Sequence, residues 1–395
     1  MTDSGGVIVV GAGPVGFLTG LGLARNGIRV TVIEAEDRIN DSPRAAVYLP
    51  TTLRILDRLG ILEDAHKAAV YNTDLQMMVA ETGTRCRLNR AEVEAGLSDY
   101  PYQLHFGQDV LAKIVQRHLL ALPNTEVRFN SRLTAIDQDA SGVTARVTTP
   151  VGEESLHCDW LIGADGARSG VRRAVDLSFD GFTWPERFVA TNIWYDEFEE
   201  HGFALANFYI DPVDWAVIAV LDRQNLWRVT YGEDPDISDE EALRRIPDHM
   251  SRILPGSGRY ELSAASPYRL HERTCESYRV DRVLLAGDAA HVCNPCGGLG
   301  LTGGIVDADV LSRALSAVIN GDIGEAVLDR YSEERKRVFR EFTSPQASEF
   351  KRILGETDPE RRRQDEEGVR LTCRDPEIAR QSMAVPYKIE GNPIV

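Results

Sequence analysis

This chain of 395 residues has few cysteines, no long apolar run and no excess of positive charge. Six cysteines are too sparse for a disulfide framework in a chain of this length. Cys293 and Cys296 read as CxxC, but no second CxxC and no histidine pair completes a zinc site, so no metal site is predicted. We interpret the two cysteines as small side chains that fill a glycine-rich loop, with a redox dithiol as the alternative.

The shortage of positive charge and of apolar runs excludes several kinds of partner. The 44 lysines and arginines stand against 61 aspartates and glutamates, so neither nucleic acid nor an anionic membrane is an expected partner. The apolar runs have the length of a strand, far below the ~20 residues that span a bilayer. Residues 1–4 carry no basic segment of a signal peptide. We therefore predict a cytoplasmic protein.

A glycine turn near the N-terminus is the strongest local motif. Residues 7–33 read as strand, turn, helix and strand, and the second strand ends on Glu34. Gly11 permits the tight turn, Gly13 lets the backbone approach a diphosphate, and Gly16 lets the helix pack close to the strand. The helix N-terminus offers N–H groups to phosphate, and Glu34 is placed to bind a ribose hydroxyl. The motif predicts a dinucleotide site and leaves NAD, NADP and FAD open.

A second glycine cluster, at residues 298, 300 and 303, also fits GxGxxG. A loop precedes these glycines, and no second strand with a ribose-binding acid follows. The chain therefore has one nucleotide-binding crossover, whereas an enzyme with two nucleotide domains would need another.

The order of the apolar patterns predicts an α/β protein with an inserted β-rich domain. Between about residues 178 and 269 the composition shifts, and four of the five tryptophans fall there. A polar helix is expected near residues 239–253, and an α/β pattern returns at residue 283. We assign residues 1–73, 101–177 and 278–345 to a discontinuous nucleotide-binding domain, residues 74–100 and 178–277 to the β-rich substrate domain, and residues 346–395 to a helical, charged tail.

Several single elements follow from periodicity. Apolar spacing predicts helices over residues 51–59, 108–122, 305–319 and 326–342. Short strands at residues 126–129 and 143–147, with turn residues between them, predict a β-meander. The charged stretch 356–367 is expected to be a solvated helix or a loose tail.

Three separated signatures together resemble one family. They are the glycine turn with Glu34, the segment Asp165-Gly166 with Arg168, and the segment Gly287-Asp288 followed by Pro295 and its glycines. In order and spacing the chain resembles the single-component FAD-dependent aromatic hydroxylases, the flavoprotein monooxygenases of the p-hydroxybenzoate hydroxylase type, from about residue 7 to residue 342. The resemblance implies a Rossmann-like FAD-binding domain of the GR2 type.

The resemblance also implies which residues contact FAD. Glu34 would bind the ADP ribose, Arg44 the diphosphate, and Gln108 and Asp288 the ribityl chain, while Asp165 would support both the diphosphate and NAD(P)H docking. Thr302 stands where many relatives have asparagine, so a side-chain amide contact to the flavin is lost there. The full implied set is Gly11, Gly13, Pro14, Val15, Gly16, Glu34, Ala35, Arg44, Gln108, Asp165, Gly166, Gly287, Asp288, Pro295, Gly298, Leu299, Gly300, Leu301 and Thr302.

The implied reaction uses NADH or NADPH to reduce FAD. O2 then adds at flavin C4a, and the hydroperoxide transfers a hydroxyl group to an electron-rich aromatic ring. A phenol is activated by deprotonation, so a base or a proton relay is expected. The catalytic residues themselves are not identified, and His291 is either close to the flavin or a partnered loop histidine.

The β-rich domain is expected to roof the substrate pocket. Asn207, Tyr209, Trp215 and Trp227 are the candidates for pocket contacts, and packing inside the sheet is the alternative for each. Only a residue such as Arg223 or Arg228 could hold a carboxylate, which favours a phenolic or weakly charged aromatic substrate.

Two other classes stay open at this stage. One is a related flavoenzyme that acts on a polycyclic or quinone-type metabolite, and the other is a non-catalytic flavin-binding protein. Turnover of NAD(P)H coupled to product excludes the second. Whether the protein forms a homodimer also stays open.

Overall fold

The computed structural model describes residues 5–395, so the expectation drawn from residues 1–4 lies outside the described residues. The strands are β1 Val7–Val10, β2 Val30–Ile33, β3 Val47–Tyr48, β4 Val70–Asn72, β5 Asp74–Val79, β6 Thr84–Asn89, β7 Gln103–His105, β8 Thr125–Arg128, β9 Arg132–Asp139, β10 Gly142–Thr149, β11 Gly152–Cys158, β12 Trp160–Gly163, β13 Asp180–Trp194, β14 Ala206–Ile210, β15 Ala216–Val220, β16 Leu226–Glu233, β17 Glu261–Thr274, β18 Arg279–Val280, β19 Val283–Leu285 and β20 His291–Val292.

The helices are α1 Pro14–Arg25, α2 Pro50–Arg58, α3 Leu62–Ala68, α4 Arg90–Val93, α5 Gln108–Leu120, α6 Gly170–Ala174, α7 Asp239–Arg244, α8 Ile246–Ile253, α9 Leu299–Ile319, α10 Ala326–Val338, α11 Ser344–Leu354, α12 Pro359–Arg374, α13 Pro376–Met383 and α14 Val385–Lys388. None of the helices within residues 5–395 is long and apolar enough to cross a membrane.

A six-stranded sheet carries the glycine turn. Its order is β18-β19-β12-β1-β2-β8, and the strands from β19 to β8 run parallel. All four residues of β1 are buried, as expected for a parallel strand that helices cover on both faces. Helix α1 connects β1 to β2 and packs against α5 and α9. The predicted α/β class is confirmed, and the ends of these strands define one edge for a ligand.

The predicted meander is half right. Residues 125–128 form β8, which lies parallel to β2 in the six-stranded sheet. The meander consists of β9, β10 and β11, paired antiparallel in a separate three-stranded sheet. The sequence suggested hairpin partners because turn residues separate β8 from β9, but α5 brings β8 back to the edge of the nucleotide-binding sheet.

The β-rich region forms an eight-stranded sheet in the order β20-β17-β13-β16-β15-β14-β5-β6. The hairpin β5–β6, which precedes it in the chain by about 90 residues, joins its edge through a parallel pairing with β14. Helices α7 and α8 cover one face, where Ile246 and Met250 pack against the buried tryptophan Trp227. Strands β3, β7 and β4 form a further small sheet, with β7 in the middle.

Two helix boundaries differ from the expectation. Helix α9 begins at Leu299, six residues earlier than predicted, because Gly298 takes the left-handed conformation with φ 71° and starts the helix directly. At the other boundary, α10 continues through one π-helical turn, Phe339–Thr343, into α11. The charged stretch becomes the solvated helix α12, which lies along β6, and Thr84 Oγ1 donates to Glu366 Oε1 at 2.6 Å.

Candidate active site

One large cavity, of about 1820 Å³, lies where the ends of the parallel strands meet the eight-stranded sheet and the C-terminal helices. Within residues 5–395 it gathers segments from Val10 to Pro386. The predicted cofactor residues that line it are Gly11, Gly13, Pro14, Val15, Glu34, Ala35, Arg44, Gln108, Asp165, Gly166, Asp288, Pro295, Gly298, Leu299, Gly300 and Leu301.

Three predicted cofactor residues do not line the cavity. A Cβ on Gly16 would lie 2.0 Å from the carbonyl oxygen of Gly11, so this glycine serves the packing of α1 on the turn. Gly287 has φ 59° and donates its N–H to Asp307 Oδ2 at 3.0 Å. Thr302 is buried and its hydroxyl donates to the carbonyl of Gly298 at 2.8 Å. These three shape the backbone that faces the cavity.

The N-terminus of α1 is built to accept an anion. Gly13 is the N-cap, no side chain caps the helix, and no acidic residue lies in its first turn. A Cβ on Gly13 would meet no protein atom within 4 Å, so the backbone here is open to the cavity. Unpaired N–H groups and the helix dipole at such an end favour phosphate. Glu34 is held beside it, because its Oε2 accepts from the N–H of Ala12 at 2.9 Å.

Asp165 has a structural contact that the sequence did not predict. Its Oδ2 accepts from the N–H groups of Gly170 at 2.7 Å and Val171 at 3.1 Å, at the start of α6. Its other oxygen, Oδ1, is buried and has no hydrogen-bond partner among the described residues. Desolvation raises the pKa of this carboxyl. The carboxylate therefore orders the turn and keeps one acceptor free.

Asp288 and Arg44 both line the cavity, and their opposite charges attract each other. Asp288 is enclosed by protein but its side chain is open to the cavity. Desolvation raises its pKa, and the nearby charges of His291 and Arg44 oppose that rise. Arg44 is exposed, and its side chain contacts Ser42 at 3.3 Å. Asp288 offers a carboxylate acceptor that suits a ribityl hydroxyl, and Arg44 offers a cationic donor that suits a diphosphate.

His291 is a partnered core histidine. Its Nε2 lies 2.7 Å from Asp307 Oδ2, while Asp307 Oδ1 accepts from Nε of Arg335 at 2.7 Å. All three side chains are buried, and the contacts of His291 and Arg335 hold the pKa of Asp307 well below its usual range despite desolvation. Because Asp307 also accepts from the N–H of Gly287, this group of charges fixes the Gly287-Asp288 segment from behind.

The predicted substrate contacts are mostly core residues. Asn207 lines the cavity, but its amide exchanges both hydrogen bonds with the backbone of Ala204. Tyr209, Trp215 and Trp227 do not line the cavity; Trp227 is 1 % exposed and packs under α7 and α8. The sequence showed that these aromatics alternate along strands but did not show which face of the sheet meets the cavity.

The arginines of the β-rich domain also differ in position. Arg228 lines the cavity and donates to Asn192 Oδ1 at 2.6 Å and to the carbonyl of Arg44. Desolvation lowers the pKa of Arg228 to about 10. Tyr268 lies beside it, and desolvation raises the pKa of that phenol, so its hydroxyl keeps its proton. Arg223 instead donates to the carbonyl of Ala69 and does not line the cavity.

Sequence reasoning missed a polar group at the far side of the cavity. Arg90 and Gln103 are 4 % and 3 % exposed and both line the cavity. Arg90 is ion-paired with the buried Glu94 one helical turn later in the chain. Glu94 also accepts from the hydroxyl of Tyr387 at 3.1 Å, which ties α14 to this group. No motif marks these residues, because they meet only in the folded chain.

The C-terminal tail supplies part of the wall. Phe350 from α11, Met383 from α13, and Val385 and Pro386 from α14 line the cavity. Cys293 lines the cavity as well, and Cys296, which follows in the same loop, is buried. Both are free thiols, and desolvation raises the pKa of each. Within residues 5–395 no cluster of three metal-binding side chains exists.

The comparisons with known proteins fit this geometry. The protein family described as FAD binding domain matches residues 5–345. Para-nitrophenol 4-monooxygenase of Pseudomonas sp. (strain WBC-3) is 44 % identical over 393 residues, which cover 99 % of this chain and 97 % of that protein. The chain belongs to this family. It is a member of the single-component FAD-dependent aromatic hydroxylases, as its three motifs predict.

Two further proteins are similar to this FAD-dependent hydroxylase over nearly its whole length. 6-Hydroxy-3-succinoylpyridine 3-monooxygenase HspB of Pseudomonas putida (strain DSM 28022 / S16) is 42 % identical, covering 97 % of this chain and 98 % of that protein. The crystal structure of p-nitrophenol 4-monooxygenase PnpA from Pseudomonas putida DLL-E4 matches with a TM-score of 0.95 and 44 % identity, over 99 % of this chain and 100 % of that chain.

The family assignment confirms the predicted activity in outline. The protein is a flavoprotein monooxygenase that uses FAD, NAD(P)H and O2 to hydroxylate an aromatic substrate. The alternative of a non-catalytic flavin-binding protein is therefore set aside.

Proposed function

We propose that FAD lies along the cavity from Gly13 to Leu301. The ADP part is held by the N-terminus of α1, by Glu34 and, at the diphosphate, by Arg44, and the ribityl chain is held by Asp288 and Gln108. The donor set fits the group: an uncapped helix end with no Cβ in the way meets the diphosphate, and a carboxylate at the tip of β2 meets the ribose. When bound, FAD supplies the redox and oxygen-transfer chemistry.

The flavin ring would lie against the start of α9. Gly298 is an uncapped N-cap, and no acidic residue lies in the first turn of this helix. The free N–H groups and the positive helix end stabilise negative charge on the pyrimidine edge of a reduced flavin. The residues that we propose for the site come from all three chain segments assigned to the FAD-binding domain, residues 1–73, 101–177 and 278–345.

We propose as the substrate a phenol, or a hydroxylated nitrogen heterocycle, with a substituent para to the hydroxyl group. The names of both relatives state which ring position is oxygenated: position 4 of para-nitrophenol and position 3 of 6-hydroxy-3-succinoylpyridine. In each compound that position carries the nitro or succinoyl substituent and lies para to the hydroxyl group. The same position is proposed here for the new oxygen atom. One continuous cavity supports this, because it joins Gly298–Leu301 to an apolar wall of Phe208, Val217, Leu270 and Phe350. That wall excludes water from the ring.

Tyr268 and Arg228 are the proposed partners of the substrate hydroxyl. Tyr268 keeps its proton and can donate a hydrogen bond to a phenolate oxygen, and the charge of Arg228 beside it favours the phenolate form. Neither NADH nor NADPH is singled out by the lining residues. A cytoplasmic location and the oligomeric state stay predictions from the sequence.

The test is the position of the new oxygen atom. We expect the holoenzyme, given 4-nitrophenol, NADH or NADPH, and O2, to release nitrite and a quinone. One atom of O2 forms the new bond to C4, the carbon–nitrogen bond breaks, nitrite leaves, and NAD(P)H reduces the other oxygen atom to water. Liquid chromatography with mass detection identifies the products. Formation of 4-nitrocatechol without nitrite would show ortho oxygenation and contradict the proposed position.

A further inference from the structure

Arg90 and Gln103 are buried polar side chains at one end of the cavity, and the cavity wall around them is apolar. Arg90 opens α4 directly after β6, and Gln103 opens β7. The neighbouring lining residues are Leu75 and Met77 from β5 and Met383 from α13. Burying an arginine in such a wall is costly unless its donors are used. The remaining donors of this group therefore indicate what the cavity receives.

The hydrogen bonds around Gln103 fix the direction of the donors. Desolvation lowers the pKa of His105 to about 4, so the ring is neutral. Its Nδ1–H donates to the carbonyl of Val220 at 3.1 Å, which leaves Nε2 as an acceptor. The amide nitrogen of Gln103 donates to Nε2 of His105 at 3.1 Å. The amide oxygen of Gln103 accepts from Nε and Nη2 of Arg90, both at 2.9 Å.

Arg90 then has donors to spare. A guanidinium carries five N–H bonds. Nε and Nη2 each use one on Gln103, and Nη1 uses one on Glu94. Two N–H bonds of Arg90 therefore have no hydrogen-bond acceptor within residues 5–395. Because Glu94 already balances the charge, the group offers hydrogen-bond donors without offering a net positive charge.

Apolar side chains connect the flavin end of the cavity with Arg90. Phe350 packs 2.5 Å from where a Cβ of Gly297 would lie, and its ring is 5.7 Å from that of Phe208. Phe208 lies opposite Met77 on the neighbouring strand. Met77 packs with Met383 at the polar end. An apolar wall thus continues from the flavin loop towards Arg90, so a ring bound along it can present its far substituent to Arg90.

We infer that Arg90, positioned by Glu94 and Gln103, binds a neutral hydrogen-bond-accepting substituent of the aromatic substrate, such as a nitro or acyl group. This assignment rests on the proposed function, because it concerns the substituent para to the hydroxyl group. A carboxylate is the poorer ligand, since it would bring a second negative charge next to the buried Glu94.

The test compares four probes on the holoenzyme. They are 4-nitrophenol, 4-hydroxyacetophenone, 4-isopropylphenol, whose substituent has a similar size but no acceptors, and 4-hydroxybenzoate. We expect the first two to bind about tenfold or more tightly than 4-isopropylphenol, as Kd from the change in the flavin absorbance spectrum and as KM from NAD(P)H oxidation. We expect 4-hydroxybenzoate to bind more weakly than 4-hydroxyacetophenone.

The variant removes both members of the ion pair, Arg90→Leu with Glu94→Leu, because losing Arg90 alone leaves a buried charge unpaired. The ratio of Kd between 4-isopropylphenol and 4-nitrophenol should fall to near 1. The control is Glu63→Leu with Lys67→Leu, an exposed pair of the same i,i+4 spacing in α3 that does not line the cavity. It should keep the ratio of the unmodified protein, and Arg90→Lys should give an intermediate ratio.

The outcomes separate this inference from the proposed function. If no phenol stimulates NAD(P)H oxidation, the proposed function fails. If all of them do so with equal KM, or if 4-hydroxybenzoate binds most tightly, the role of Arg90 is wrong while the proposed function stands. The comparison of probes on the unmodified holoenzyme can already refute the role of Arg90, whether or not the double variant folds, and the loss of the preference in the double variant assigns it to Arg90.

Discussion

His105 shows how strictly single buried side chains are specified in this protein. It is fully buried, its Nδ1–H donates to the carbonyl of Val220, and its Nε2 accepts from Gln103. A protonated ring would lose that last bond and would meet the charge of Arg90 nearby. Desolvation, the larger cause, lowers the pKa of His105 to about 4. The fold therefore requires the neutral imidazole.

The stability of the protein should depend on pH through this residue. Between about pH 6.5 and pH 4 the unfolded chain binds a proton at His105 that the folded chain does not, so the free energy of unfolding falls as the pH falls. The contribution is complete above pH 6.5, and about 2 kcal/mol of it should be lost between pH 7 and pH 5. Urea unfolding at the two pH values measures it.

His105→Asn is the matched variant, because an asparagine amide can keep the donor to Val220 without titrating. Its loss of stability between pH 7 and pH 5 should be smaller than that of the unmodified protein by about 2 kcal/mol. An equal loss in both proteins would show that His105 does not carry the dependence.

At this scale the sequence predicts backbone requirements better than side-chain roles. Gly11, Gly13 and Gly16 could be identified because a turn, a diphosphate and a packed helix each impose a local requirement that glycine meets. Trp215 and Trp227 could not be placed, because strand alternation shows two faces and not which one meets the cavity. Arg90 carried no signal, since Gln103, which it binds, and Tyr387, which binds its ion-pair partner Glu94, lie outside its local sequence pattern.

Among the elements, the glycine turn has two glycines with different tasks. A Cβ on Gly16 would collide with the backbone of Gly11, whereas a Cβ on Gly13 would point into open cavity. Gly16→Ala should therefore destabilise the protein itself, by about 1–3 kcal/mol. Gly13→Ala should change the free energy of unfolding of the apoprotein by less than about 1 kcal/mol, the usual cost of alanine at an N-cap. It should weaken FAD binding at least tenfold.

Thermal unfolding of the apoprotein and FAD titration by fluorescence quenching separate the two effects. The control is Gly324→Ala, where a Cβ meets nothing within 4 Å and the residue does not line the cavity. It should leave FAD affinity unchanged. Unchanged FAD affinity in Gly13→Ala would place the diphosphate elsewhere.

The types of the elements were largely predictable, and their partners were not. Apolar periodicity placed α2 and α5 within a few residues, and it indicated strands in the β-rich domain without their bounds. It could not show that β8 pairs with β2, or that β5 joins β14, because pairing depends on which segments the helices bring together. The early start of α9 follows from the left-handed Gly298, a conformation that a sequence pattern does not reveal.

For the whole molecule, the main result is that three remote parts of the chain close one cavity. The six-stranded sheet supplies the glycine turn, the eight-stranded sheet supplies the roof, and the tail supplies Phe350, Met383 and Pro386. The sequence predicted the first two parts and left the tail without a role. Its contacts depend on α12 lying along β6 and on Tyr387 reaching Glu94.

The most direct test of the central assignment is a coupled assay on the purified holoenzyme. The account predicts a yellow protein with the absorbance spectrum of bound FAD, in which a para-substituted phenol accelerates NADH or NADPH oxidation and about one oxygenated product forms for each NAD(P)H consumed. A colourless protein that cannot be reconstituted with FAD, or NAD(P)H oxidation that no phenol accelerates and that yields no oxygenated product, would contradict it.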